Sequence, residues 1–256
     1  MTNKELGEFI SSQNFKNTSN ELLEKSEEII GAGADVVSTV FLGFPANSFL
    51  KPFIEGIKDW KSRVELKQLA YYLKEFDNLN QSERSDFSLI VQKNEEDFTE
   101  RLFYYISQLN DKRKATLCGK LGVNYARKKI QSSMFLRLVE VVKNSNYEDL
   151  KSLKSILSLD NDFDGLDFKE RKAYFTSVRF AKSRISHFEN FRKTALRNLG
   201  LIESKIDLKS VKLPAVNFSL EQVKEAVRNI REKDSFSEIT FYLFEYGLNL
   251  LDKKEE

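Results

Sequence analysis

The sequence predicts a mainly α-helical protein, a multi-helix bundle followed by a small α+β C-terminal module, and three observations carry that expectation. Ten Gly and three Pro among 256 residues are too few for the turns of a sandwich, a barrel or a Rossmann sheet. Apolar residues recur at three- to four-residue spacing along most of the chain. Alternation of β-branched and aromatic residues is confined to the stretch beyond Gly200. A chain of this length makes one large or two small domains with a sizeable core. Composition changes at the acidic turn Asp160-Asn-Asp-Phe-Asp-Gly165, which sets a helical body at 1–158 and the α+β module at 159–256.

Residues 3–30 read as an acidic amphipathic helix or helix pair, with Leu6, Phe9, Ile10, Leu22, Leu23, Ile29 and Ile30 inward. Three Lys against six Glu over 1–30 leave a net charge of −3. Ile29–Phe44 is the most apolar run, yet with Asp35 inside it and Pro45 after it, it is shorter than the roughly 20 residues of a spanning helix. From Asn47 to Phe76 the spacing of Phe49, Phe53, Ile57, Trp60, Val64, Leu66, Ala70 and Leu73 is helical. Ser82 opens a helix to about Val91, and Asn94–Leu109 carries Phe98, Leu102, Tyr105, Ile106 and Leu109 on one face. Asn110-Asp111 caps Lys112–Ile130, where Gly119 and Gly122 allow close packing at some cost in helix propensity. Ser132-Ser133 precede Met134–Val142, and Asn144-Ser145-Asn146 is a loop before Tyr147–Leu159.

Beyond the acidic turn come a basic helical stretch, Phe168–Ser183, and a second helix, Arg184–Leu199. Three strand-like runs follow, Ile202–Leu208, Lys209–Phe218 and Ile239–Phe244, with a helix at Ser219–Arg231 whose Ser219 and Gln222 make a capping-box pattern. A helix that stops at Gly200 before a strand, a returning strand and Tyr246-Gly-Leu-Asn-Leu-Leu251 together resemble a winged-helix module with an insertion at the wing. In that resemblance Arg184–Leu199 is the helix that would enter a major groove. Nine basic residues against Glu170 and Glu189 give residues 169–197 a net charge of +7. Arg184, His187, Asn190, Lys193 and Arg197 are the candidate contacts, to nucleic acid through phosphates and base edges or to an acidic protein surface.

Other chemistries fail on residue supply or spacing. His187 and Cys118 are the only His and Cys, so neither a zinc site of Cys or His ligands nor a disulfide can form within one chain. The polar N-terminus lacks the basic-then-apolar design of a secretory signal, and a cytoplasmic location is expected. Residues 160–165 begin like an EF-hand loop, but the twelfth position is Arg171 where a bidentate Glu is needed, and no metal is expected. Gly31-Ala-Gly33-Ala-Asp-Val36 follows a helix and lacks the third Gly of a dinucleotide fingerprint. Glu65-Leu-Lys67 matches a nuclease Glu-x-Lys but lies in a helix, and Arg179 and Arg184 miss the spacing to His187 that a helical ribonuclease uses. Cys118 reads as a buried helical thiol. The expectation is a non-enzymatic interaction protein without cofactor. The alternative is a membrane-acting effector using 29–57, with Val37, Phe41 and Phe44 as its apolar contacts.

One likeness spans most of the chain. Phe44-Pro-Ala-Asn-Ser48, Gly56-Ile-Lys-Asp-Trp-Lys-Ser-Arg63, Ser82-Glu-Arg84, Asn110–Leu121, Phe135-Leu-Arg-Leu-Val139, Leu199-Gly-Leu-Ile202 and Tyr246–Leu251 follow one another in an order that resembles uncharacterised bacterial helical proteins similar to abortive-infection alpha proteins. It covers roughly residues 40–251. It implies a bacterial or phage cytoplasmic protein in a phage-defence context, and transfers no active-site residue.

Overall fold

The computed structural model describes residues 2–30, 50, 60–158, 165–206 and 232–250. The apolar run with Val37, Phe41 and Phe44, the acidic residues 160–164, the strand-like Lys209–Phe218 and the helix expected at Ser219–Arg231 lie outside them. The described residues are mainly helical, with one two-stranded antiparallel sheet. They divide into two compact units, one running to Lys151 and resuming at Glu245, the other from Ser152 to Phe244.

The first unit is built from helices α1 (Asn3–Ser11), α2 (Phe15–Ile30), α3 (Trp60–Lys74), α4 (Gln81–Gln92), α5 (Phe98–Ser107), α6 (Lys112–Ala126), α7 (Ser132–Asn144) and the start of α8 (Tyr147–Leu157), with a 3₁₀ turn at Glu75–Asn78. Local chemistry sets several starts. Thr2 caps α1 and Asn80 caps α4, each in a reciprocal box with the Glu three residues on, Glu5 and Glu83. Asp111 accepts from the Arg113 amide at 2.8 Å and starts α6, as the sequence predicts. The α4 cap lies two residues before Ser82, because Asn80 rather than Ser82 meets the orphan amide of Glu83.

Helix α1 packs on α4, α2 on α3, and α3 on both α5 and α6. The abundance of Phe becomes the core. Tyr72, Phe76, Phe87, Phe98, Phe103, Tyr125 and Phe135 form a continuous aromatic chain, ending in Tyr125 and Phe135 stacked at 4.8 Å. Cys118 is fully buried in α6, which pushes its thiol pKa up. Asn3, also buried, accepts from the Thr99 amide and hydroxyl and donates to the Glu95 carbonyl, tying the N-terminus of α1 to the start of α5.

The second unit contains α9 (Phe168–Phe175), α10 (Val178–Ile185), α11 (Asn190–Asn198), β1 (Ile202–Ile206), β2 (Glu232–Phe236) and most of α12 (Glu238–Tyr246). Strand β1 pairs with β2 from Ile202 opposite Phe236 to Ile206 opposite Glu232. Gly200, at φ +71°, ends α11 in the left-handed conformation that glycine adopts without steric cost and turns the chain into β1. The core here is Phe175, surrounded by Phe180, Phe236, Phe241 and Phe244.

Three expectations change. The two long helices predicted over 168–199 are three, because Ser177 caps α10 by accepting from the Phe180 amide, and the chain turns again over Ser186–Glu189. Phe188 still occupies the interior as the helical spacing required, but from that turn. The run Ile239–Phe244 is helix α12, not a strand. Ile239, Thr240, Phe241, Leu243 and Phe244 are all buried, and a helix covered on nearly every side has no polar stripe to separate its pattern from that of a buried strand. The strand that returns beside β1 is Glu232–Phe236, a mostly polar segment without strand patterning.

Candidate nucleic-acid interface

Helices α10 and α11, joined by the turn at 186–189, carry all five sequence-predicted contacts. The structure treats them differently. Arg184 is only 6% exposed in the last turn of α10, with its guanidinium over the Phe180 ring at 5.4 Å, so it does not belong to a solvent face. His187 is exposed, but from the turn rather than from a helix, where its amide donates to the Arg184 carbonyl at 3.0 Å. Asn190 opens α11 and is exposed. Lys193, one turn later, is half-buried, and Thr194 beside it is exposed. Arg197, in the last turn, donates to both carboxylate oxygens of Asp234 on β2, at 2.9 and 2.7 Å, and Ser204 on β1 donates to the same carboxylate at 2.7 Å.

Residues 190, 193, 194 and 197 follow the spacing of one helical stripe. Leu196 is buried beside this stripe rather than within it, and Arg192 is bonded to Ser152, so the helix has one fixed inner side and one open side. Phe191, 64% exposed, is the most open large apolar side chain among the described residues, and the sequence reading assigned it no role. Its signal was present: it falls outside the apolar spacing set by Ile185, Phe188, Ala195, Leu196 and Leu199.

Part of the basic excess of 169–197 is matched within the unit. Lys172 is bonded to Glu238, which raises its pKa, and sits over the Tyr242 ring. Arg192 lies 3.8 Å from Glu189, and Arg197 holds Asp234. Among the described residues, Lys169, Lys182 and Lys193 have no carboxylate within ion-pair distance. Three of the nine cations thus face a carboxylate and three lysines among the described residues do not.

The described residues contain no cluster of three or more metal-ligating side chains. No described helix is long and apolar enough to cross a membrane, and Val37, Phe41 and Phe44 of the alternative reading lie outside the described residues. Comparison of the chain with protein-family models, with curated proteins and with solved structures finds no significant match.

Proposed function

We propose that the second unit is a winged-helix-like binding module of a non-enzymatic interaction protein, and that the open side of α11 contacts nucleic acid. The observation that carries this reading is the order helix, four-residue turn, helix, antiparallel strand pair, in which the second helix leaves Asn190, Phe191 and Thr194 exposed and Lys193 half-exposed at the edge of the side that buries Leu196. An amide, a hydroxyl and an ammonium on one stripe supply the donors that phosphates and base edges accept, and an exposed ring supplies a surface for stacking. Arg197, engaged by Asp234, orients the strands beside α11 and is not a contact in this reading. Phage defence and a cytoplasmic setting are the context we carry from the likeness of residues 40–251 to abortive-infection alpha proteins.

Titration with duplex DNA, single-stranded DNA and RNA at about 50 and 200 mM salt tests it, since neutralised phosphates make affinity fall with salt. Binding should weaken about tenfold in Lys193→Glu, with a shallower salt dependence, and also weaken in Phe191→Ala. Absence of binding at the lower salt, or affinity indifferent to Lys193→Glu, overturns the nucleic-acid reading.

A further inference from the structure

We infer that the first unit holds a separate binding site for a nucleoside phosphate, in the cleft where the loop before α6 meets the turn between α7 and α8. The cleft has a volume of about 410 Å³ and is lined by Asn110, Asp111, Arg113, Lys114 and residues 143–148. That volume lies in the range of sites for small organic ligands and exceeds what a bare inorganic anion needs.

Its charge is unevenly satisfied. Asp111 and Glu148 both face Arg113, at 2.6 and 3.8 Å, and the bond from Arg113 holds the Asp111 carboxyl below its usual pKa. The other two cations of the cleft, Lys114 and Lys143, have no carboxylate within ion-pair distance among the described residues. Lys114 is 3% exposed and donates only to the carbonyls of Lys143 and Ser145, at 2.7 and 2.9 Å. Burial lowers the pKa of this ammonium, against a smaller opposing pull from Asp111. Lys143 lies over the rings of Tyr105 and Tyr104 at 5.1 and 5.6 Å. A dianionic phosphate complements this pair of ammonium groups.

The remaining lining suits a base. The Arg113 guanidinium lies 3.9 Å from the Tyr147 ring centre and its side chain is 49% exposed, a planar group of the kind on which bases stack. Asn110, Asn144 and Asn146 add amide donors and acceptors in the same cleft, the combination that reads the edge of a base. Free nucleotides and the phosphorylated end of a strand share this chemistry.

Calorimetry on the full chain with AMP, inorganic phosphate, and a short single strand with and without a 5′-phosphate tests the site. Because Lys114 also ties down the end of α7, the informative variants are Lys143→Glu and Asn144→Asp, both at the rim. AMP or the 5′-phosphorylated strand should bind, at least tenfold more tightly than inorganic phosphate. Both variants should weaken that binding at least tenfold with unchanged thermal stability. Preference for AMP identifies a free nucleotide, and preference for the 5′-phosphorylated over the unphosphorylated strand identifies a strand end. No binding of either, equal affinity for inorganic phosphate, or affinity unchanged in Lys143→Glu overturns the proposal.

Discussion

Arg197 of α11 grips Asp234 of β2 through one guanidinium nitrogen that reaches both carboxylate oxygens, at 2.9 and 2.7 Å. A residue that reads in sequence as a ligand contact is thereby a tie between the candidate binding helix and the strand pair. The pair is partly open to solvent, 39% for the arginine side chain and 22% for the aspartate, which limits what it contributes. Arg197→Ala and Asp234→Ala should each destabilise the protein by up to about 1 kcal/mol in urea unfolding. The double variant should lose less than the sum, and added salt should shrink the difference. Additive losses would mean that the two side chains act independently.

Gly119 of α6 lies where a side chain has no room. A Cβ built there would sit 2.6 Å from the Tyr72 carbonyl oxygen and 2.8 Å from Cβ of Glu75, so α3 and α6 approach backbone to backbone. Alanine favours a helix by about 1 kcal/mol over glycine, whereas forcing a core apart costs about 1–3 kcal/mol or more. Since the first atom met is backbone, the clash outweighs the propensity gain, and Gly119→Ala should lower unfolding free energy by about 2 kcal/mol net. Equilibrium denaturation reads it directly; a stabilised variant would show that the helices can separate at little cost.

Tyr71 on α3 donates to Glu27 on α2, and burial together with that carboxylate lifts its phenol pKa to about 12. An acid whose folded pKa exceeds its unfolded value releases its proton first from the unfolded chain, so its contribution is intact below pH 10 and is lost as pH rises towards 12. Ultraviolet titration should show one phenol near pH 12 that is absent in Tyr71→Phe. Glu27→Gln should move it towards 10 without reaching it, because desolvation is the larger cause. Stability of Tyr71→Phe should fall less steeply than that of the parent between pH 10 and 12.

The helical body was legible because most of its helices have one buried and one wet face, the condition under which three- to four-residue spacing carries information, while α6, buried throughout Leu121–Ala126, was marked by its Asp111 cap. Asp111 and Gly200 were legible for a related reason: capping and left-handed backbone are set by the residue itself. Helix α12 was not, since its near-complete burial erases periodicity. Strand β2 was not either, since Glu232-Lys-Asp-Ser-Phe236 owes its conformation to pairing with β1 rather than to its own preferences. At the candidate interface, the sequence named a helix but could not rank its residues. Arg184 and Lys193 have similar local surroundings in sequence, yet one is covered and the other has no ion-pair partner among the described residues.

By itself, then, the sequence determined a mainly helical protein with one small sheet, and it ruled out a disulfide and a zinc site of Cys₄, Cys₂His₂ or His₃ type within the chain by supplying a single His and a single Cys. Residue supply and local backbone preference are properties of the chain alone. Tertiary structure decided how the charge is distributed, matching Lys172 with Glu238 and Arg197 with Asp234, and gathering Asn110, Asp111, Arg113, Lys114 and residues 143–148 into one cleft. Those outcomes depend on which groups come within a few ångströms of one another, and Coulomb and hydrogen-bond energies fall off too steeply with distance for separation along the chain to predict them.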